Sequence, residues 1–172
     1  MENSVLNAII NRYSCRLFTD KKVEISLLKE VVRAGMAAPT AKNMQPWEFM
    51  IVDEREKLDA LSSALPFAKM LTTAQAAIVV CGVDENCEGG SPYWVVDCAA
   101  ATENILLAAQ AVGLAAVWTA VYPYKERLDP TYNILDIPQT AIPLCVIPIG
   151  YAAREARVKD KFKEEKIHIN QW

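Results

Sequence analysis

Residues 93–112, YWVVDCAAATENILLAAQAV, constrain this chain more than any other stretch. They read as one long helix, and Gly113 is well placed to end it. Only Asp97, Glu103, Asn104 and Gln110 interrupt a surface that is otherwise apolar nearly all round. A helix with a single apolar stripe lies on a surface, whereas one that is apolar on every side has to be enclosed. The helix is therefore expected at the centre of the fold, with room for one side of it to face a second subunit.

The rest of the chain supplies what encloses it. Residues 76–83, AAIVVCGV, are a continuous apolar run of strand length, suited to a strand covered on both faces. Residues 48–53 alternate loosely as a strand, LAAVWTAV at 114–121 is a short apolar segment, and LCVIPIG at 144–150 is the last strand. Helical patterns fall at 4–11 with Ser4 as N-cap, at 26–37 with Ser26 as cap and Pro39 as stop, and at 54–64. KERLDPTYNILDI at 125–137 reads as a helix broken by Pro130. Helices and strands without regular alternation indicate an α+β fold, helices packed on a mixed sheet. The 172 residues suit a single domain, 1–172. The charged tail 151–172 ends in KIHINQW, an apolar ending that predicts docking on its own core or on a second chain.

Several functions are excluded or disfavoured by what is missing. A net charge of −3 without a basic block before the tail gives nucleic acid little to bind. No apolar run approaches the roughly 18 residues of a membrane span. The N-terminal MENSVLNAIINRYSCR lacks a basic region and a small-residue cleavage site, so a cytoplasmic chain without signal peptide is expected. The five cysteines, Cys15, Cys81, Cys87, Cys98 and Cys145, include no C-x-x-C and read as reduced, mostly core residues. His168 is the only histidine, so neither a metal site nor a Ser-His-Asp hydrolase is expected. The six glycines form neither a dinucleotide fingerprint nor a P-loop. An enzyme of this composition needs an organic cofactor to carry the hard chemistry.

Three stretches offer binding groups. In RYSCRLF, 12–18, Arg12, Ser14 and Arg16 alternate and share one face if extended; such a face suits a phosphate, or is simply solvated. In AAPTAKNMQPWEFMIV, 37–52, Asn43 and Gln45 each offer an acceptor and donors. They match the imide edge of a flavin or nucleobase, or else satisfy loop backbone. In VKDKF, 158–162, Lys159 and Lys161 alternate, as a solvated charge run also would.

Taken together and in order, RYSCRLF, AAPTAKNMQPWEFMIV, GLAAVWTAVYP and IPIGYAAREARVKDKF resemble the nitroreductase family of FMN-dependent oxidoreductases in its short form. The resemblance runs from about residue 5 to the end, and Asn43-Met44-Gln45-Pro46-Trp47 is its most specific part. It implies an α+β nitroreductase-like fold, a mixed and mainly antiparallel sheet flanked by helices, in an intertwined homodimer with FMN at the interface. The resemblance gives Arg12 and Ser14 as phosphate ligands, with Tyr13 between them where a basic residue is frequent. Arg16 matches the basic residue at the pyrimidine edge of the flavin, and Lys159 and Lys161 the late basic pair on the phosphate. Pro39, Thr40, Ala41, Asn43 and Gln45 match a loop that approaches the flavin, usually from the partner subunit. Trp118, Thr119, Ala120 and Val121 match the segment along one ring face, whose backbone N–H groups would meet the hydride-accepting nitrogen.

Departures from the family pattern include Thr40 for serine, Ala115-Ala116 for Gly-Ser, Ala120-Val121 for a glycine- or glutamate-bearing pair, and Lys161 for arginine. The implied activity is a ping-pong reductase. NAD(P)H passes a hydride to FMN, leaves, and is replaced by a nitroaromatic, quinone or similar small-molecule acceptor. The competing reading is an FMN-binding module for storage, sensing or processing.

Overall fold

The computed structural model describes residues 4–155, 158 and 160–172. The expected long helix is present as α4, Trp94–Ala111, capped by Val112 and followed by Gly113 at φ +78°. That left-handed angle is one glycine adopts without strain, so the chain reverses at the position predicted. The other helices are α1 (Ser4–Asn11), α2 (Ile25–Met36), α3 (Arg55–Ala64) and α5 (Lys125–Leu135).

Five strands, β1 (Trp47–Val52), β2 (Ala76–Gly82), β3 (Ala115–Ala116), β4 (Thr119–Ala120) and β5 (Ile142–Gly150), form one sheet. Its order is β1-β2-β5-β3, with β4 also paired to β5, and all these pairs are antiparallel. A parallel bridge between Ser14 and Ala116 makes the sheet mixed. The α+β architecture read from the sequence is thus the one observed.

Burial explains why β2 is apolar at every position. Ile78 and Val80 belong to a core shared with Leu28, Val31, Cys98, Ala101, Ile105 and Ala109 from α2 and α4. Ala77, Val79 and Cys81 face the opposite core, with Leu58 and Leu61 of α3 and Leu135 of α5. A strand between two cores has no polar face to show. Gly35 lets α2 close on α4, since a Cβ there would lie 2.8 Å from Cγ1 of Ile105. Yet α4 is not enclosed on all sides, and Val96 is 67% exposed.

Two local readings are corrected. α2 is capped by Glu24 with no side-chain hydrogen bond, and Ser26 lies inside its first turn. α5 runs through Pro130 rather than breaking there. The helix is already established ahead of the proline by the Leu128 N–H to the Tyr124 carbonyl at 2.9 Å. Beyond it, buried Thr131 donates its hydroxyl to the Arg127 carbonyl at 2.7 Å, and Leu135 is packed in the core. Tertiary packing outweighs the one backbone bond that proline withdraws.

Candidate functional site

The site is built on the stretch 115–120, which is one strand with a gap. Ala115 pairs with Gly150, Ala116 with Ile149, Thr119 with Val146 and Ala120 with Cys145, so the register is continuous across residues 117 and 118. Val117 N–H donates to the Pro148 carbonyl at 3.2 Å, but Pro148 has no N–H to return. The ladder is interrupted there by chemistry, not by geometry. Val121 N–H donates to Leu144 at 3.0 Å. Antiparallel strands alternate, so residues 117, 119 and 121 bond to β5 while the N–H groups of Trp118 and Ala120 turn away from it.

The segment 12–18 lies along that outward edge. Cys15 N–H donates to the Ala116 carbonyl at 3.1 Å, and Cys15 is buried with Tyr13 packed nearby. Ser14 and Arg16 flank it on the exposed side, as the alternation predicts. Arg16 reaches back to the Ser14 carbonyl at 3.4 Å. Arg12 is engaged differently: its Nε pairs with Glu103 of α4 at 3.2 Å. Burial, with Cys15 alongside, raises the pKa of Tyr13.

Beside this edge is a cleft of about 480 Å³, within the usual range for small-molecule sites. Arg16, Val117, Trp118, Thr119 and Ala120 line it together with Phe67, Lys69, Met70 and Arg127. Of the residues expected along a ring face, Val121 is the exception. It is fully buried and its N–H is spent on β5, so Trp118 and Ala120 present the outward donors instead. Thr119 is buried too, its hydroxyl donating to the Val146 carbonyl at 2.6 Å.

Lys69 and Arg127 were not anticipated. Lys69 sits in a single turn, Lys69–Thr72, and its Nζ donates to the Ser62 carbonyl at 3.0 Å. Arg127 lies in the first turn of α5, donates to the Ala120 carbonyl at 3.2 Å, and stacks 4.1 Å from the Tyr124 ring. Neither belongs to a recognisable motif. The available signal was three-dimensional, since both converge on Ala120 and its neighbours only after folding.

The loop 39–45 does not line this cleft. Asn43 and Gln45 are exposed, and the Gln45 amide donates to Asn43 Oδ1 at 3.0 Å. Lys42, Asn43 and Gln45 have φ of 53°, 55° and 51°, left-handed angles without a glycine among them. Each costs about 1–2 kcal/mol, least at asparagine. Specific bonds offset the cost. Thr40 Oγ1 accepts the Gln45 N–H at 3.1 Å, and the buried carboxylate of Asp97 accepts the Ala41 N–H at 3.1 Å. Pro39 precedes the loop, and Pro46 and Trp47 are buried after it. The carboxamide edge is therefore held rigidly and aimed outward.

Of the late lysines, Lys161 is exposed in the tail and does not line the cleft, and Lys159 lies outside the described residues. Ile167, Ile169 and Trp172 are 57%, 79% and 100% exposed. Among the described residues no group of side chains is arranged to hold a metal, and no helix is long and apolar enough to cross a membrane. Burial pushes the thiols of Cys81, Cys98 and Cys145 up to about 12, which keeps them protonated and inert.

Comparison with known proteins now bears on this geometry. The model of the nitroreductase family matches residues 9–65 and 60–151. A protein of Methanothermobacter thermautotrophicus, provisionally named an NADH dehydrogenase/NAD(P)H nitroreductase, is 39% identical over 168 residues, spanning 98% of this chain and 87% of its own. A crystal structure from Parabacteroides distasonis, with the same provisional name, superposes with TM-score 0.94 at 44% identity over 99% of this chain and 100% of that one. An FMN-dependent nitroreductase from Clostridium difficile superposes with TM-score 0.88 at 27% identity, over 97% and 99%.

Proposed function

The chain belongs to the nitroreductase family, and from that premise we propose that it binds FMN and uses NAD(P)H to reduce a small electron-poor acceptor. The observation that carries the reading is the cleft: an apolar wall flanked by cations, edged by the outward N–H groups of Trp118 and Ala120. An isoalloxazine needs such a surface. Its flat rings favour Trp118, Val117 and Met70, its pyrimidine oxygens favour Arg16 and Lys69, and its ring nitrogens favour backbone donors.

FMN, when bound, would supply hydride acceptance from the nicotinamide and hydride delivery to the acceptor. The chain's own residues would bind, orient and exclude water. Ser14 and Arg12 would take the phosphate, Arg12 sharing its five donors between that group and Glu103. Arg16 and Lys69 would place positive charge at the pyrimidine edge and so favour a reduced, electron-rich ring. The Pro39–Gln45 loop would be contributed by a second copy, since none of its residues lines its own chain's cleft. Lys159 and Lys161, from the tail, would complete the phosphate site across the same interface. Neither an acid nor a base side chain is needed for the hydride steps, and the ionisable groups that line the cleft, Arg16, Lys69 and Arg127, are all cations.

A homodimer accommodates the apolar surface that a single chain leaves uncovered. Ile9, Ile10, Val96, Ile169 and Trp172 are all exposed, and they lie on α1, α4 and the tail. The decisive experiment is a visible spectrum of the purified protein, followed by anaerobic NADH and NADPH. Flavin absorption that bleaches, and returns with a nitroaromatic or quinone, is the expected result. A colourless protein that takes up no added FMN would overturn the reading. A flavin that binds but resists both nucleotides would leave binding without turnover.

A further inference from the structure

Resting on that reading, we infer that the acceptor is an aromatic bearing an anionic group, a carboxylate or sulfonate, and that Arg127 is the residue that recognises it. Arg16, Lys69 and Arg127 line the cleft, and no aspartate or glutamate does so among the described residues. The whole chain has net charge −3, so this cluster is a local feature against the overall balance. Two of the three cations are accounted for by the cofactor. Arg127 is not.

Its placement runs against local preference. A cation in the first turn of a helix meets the positive end of the backbone dipole. Arg127 occupies that position in α5 and is nonetheless tightly oriented. Nη1 donates to the Ala120 carbonyl at 3.2 Å, and the guanidinium lies 4.1 Å from the Tyr124 ring and 5.2 Å from the Phe67 ring. Nε is buried and has no partner among the described residues. Anchored through Nη1 and with Nε buried, the planar group keeps its remaining Nη donors for a forked pair of hydrogen bonds to two oxygens of one anion. A carboxylate or sulfonate on an aromatic ring fits both that fork and the wall of Phe67, which the flavin leaves free. A preset guanidinium loses little freedom on binding, so it adds discrimination as well as attraction.

The test compares 4-nitrobenzoate with 4-nitrobenzamide, both planar and close in shape but different in charge, on FMN-loaded wild type and Arg127→Gln. Binding is followed by quenching of tryptophan fluorescence, for which Trp118 is a reporter in the cleft, and turnover by NADH oxidation. The wild type should prefer the benzoate, and the variant should lose about ten-fold or more of that preference. Arg127→Lys should restore part of it. A wild type that does not distinguish the two, or a variant that loses both equally, would overturn the inference while leaving the reductase reading intact. Loss of FMN from the variant would also overturn it, by making Arg127 a cofactor ligand. So would a selective slowing of flavin reduction by NADH, by assigning the guanidinium to the donor. Absence of flavin from the wild type would instead sink the underlying reading, and the fluorescence comparison would still decide the charge preference of the cleft.

Discussion

The carboxylate of Asp97 accepts the backbone N–H of Ala41 at 3.1 Å, and this single bond joins the first turn of α4 to the left-handed loop 40–45. Asp97 is only 5% exposed, and its second oxygen is buried without a partner among the described residues. A charge in that position is stabilised by the positive end of α4 and by the loop amide it holds. The central helix and the left-handed loop, separate features in the sequence, are one device in the fold.

Removing that carboxylate therefore loosens the loop from its foundation. Asp97→Ala leaves the Ala41 N–H without an acceptor and should cost about 1.5–3 kcal/mol, the range for a charge-assisted bond. Urea unfolding measures it. A loss below about 0.5 kcal/mol would show that the loop holds its shape without Asp97.

Lys42 tests the loop's backbone directly. Its φ of 53° tolerates an unbranched side chain poorly and a β-branched one worse. Lys42→Val should destabilise by about 1–2 kcal/mol, whereas Lys42→Gly should stay near neutral, because relief of strain is offset by greater freedom in the unfolded chain. Equal unfolding midpoints for the two variants would contradict the left-handed assignment.

Arg16 lies at the centre of the proposed cofactor edge. Arg16→Ala should weaken FMN binding by about 1.5–3 kcal/mol, read by equilibrium dialysis or flavin fluorescence. Arg12→Ala should cost less than the same change at a free arginine, because the guanidinium is already shared with Glu103 at 3.2 Å. An unaltered FMN affinity in Arg16→Ala would remove that side chain from the site.

Much of this was legible beforehand, and the failures have physical causes. The buried strand at 76–82, the central helix and its glycine stop follow from periodicity and turn chemistry, which are local. Pro130 misled because propensity is a local preference and α5 is held by packing at Thr131 and Leu135. The gap in 115–120 was hidden because its cause, Pro148, is contributed by a strand distant in sequence. Arg16, Trp118, Thr119 and Ala120 do converge in one cleft, while Lys69 and Arg127, lacking a motif, needed the fold to bring them there.

The buried thiols predict a stability loss at high pH. Cys81, Cys98 and Cys145 are raised to about 12, chiefly by burial, whereas an unfolded thiol titrates near 8.5. Between these values the unfolded chain loses protons that the folded chain keeps, so stability falls as pH rises, by up to about 1.4 kcal/mol per pH unit per thiol. Below pH 8 the contribution is complete and constant. Urea midpoints at pH 7.5, 9 and 10 should decline, and Cys98→Ala should flatten the decline. A parallel series in both proteins would mean that the thiol does not titrate differently on unfolding.

The tail supplies the last expectation. Ile169 and Trp172 are 79% and 100% exposed, and a tryptophan alone buries some 150–250 Å² when it finds a partner. The His168 and Trp172 rings stack with centroids 4.2 Å apart, so the segment is preshaped before any docking. If it clasps a second copy and carries Lys159 and Lys161 to that copy's site, then dimerisation and cofactor retention must fall together. The double change Ile169→Ser with Trp172→Ser should weaken the dimer by about ten-fold or more, seen by sedimentation at micromolar concentration, and should shed FMN in parallel. A variant that stays dimeric and keeps all its FMN would show that the tail does not hold the dimer, and the phosphate would then depend on Arg12 and Ser14 without help from across an interface.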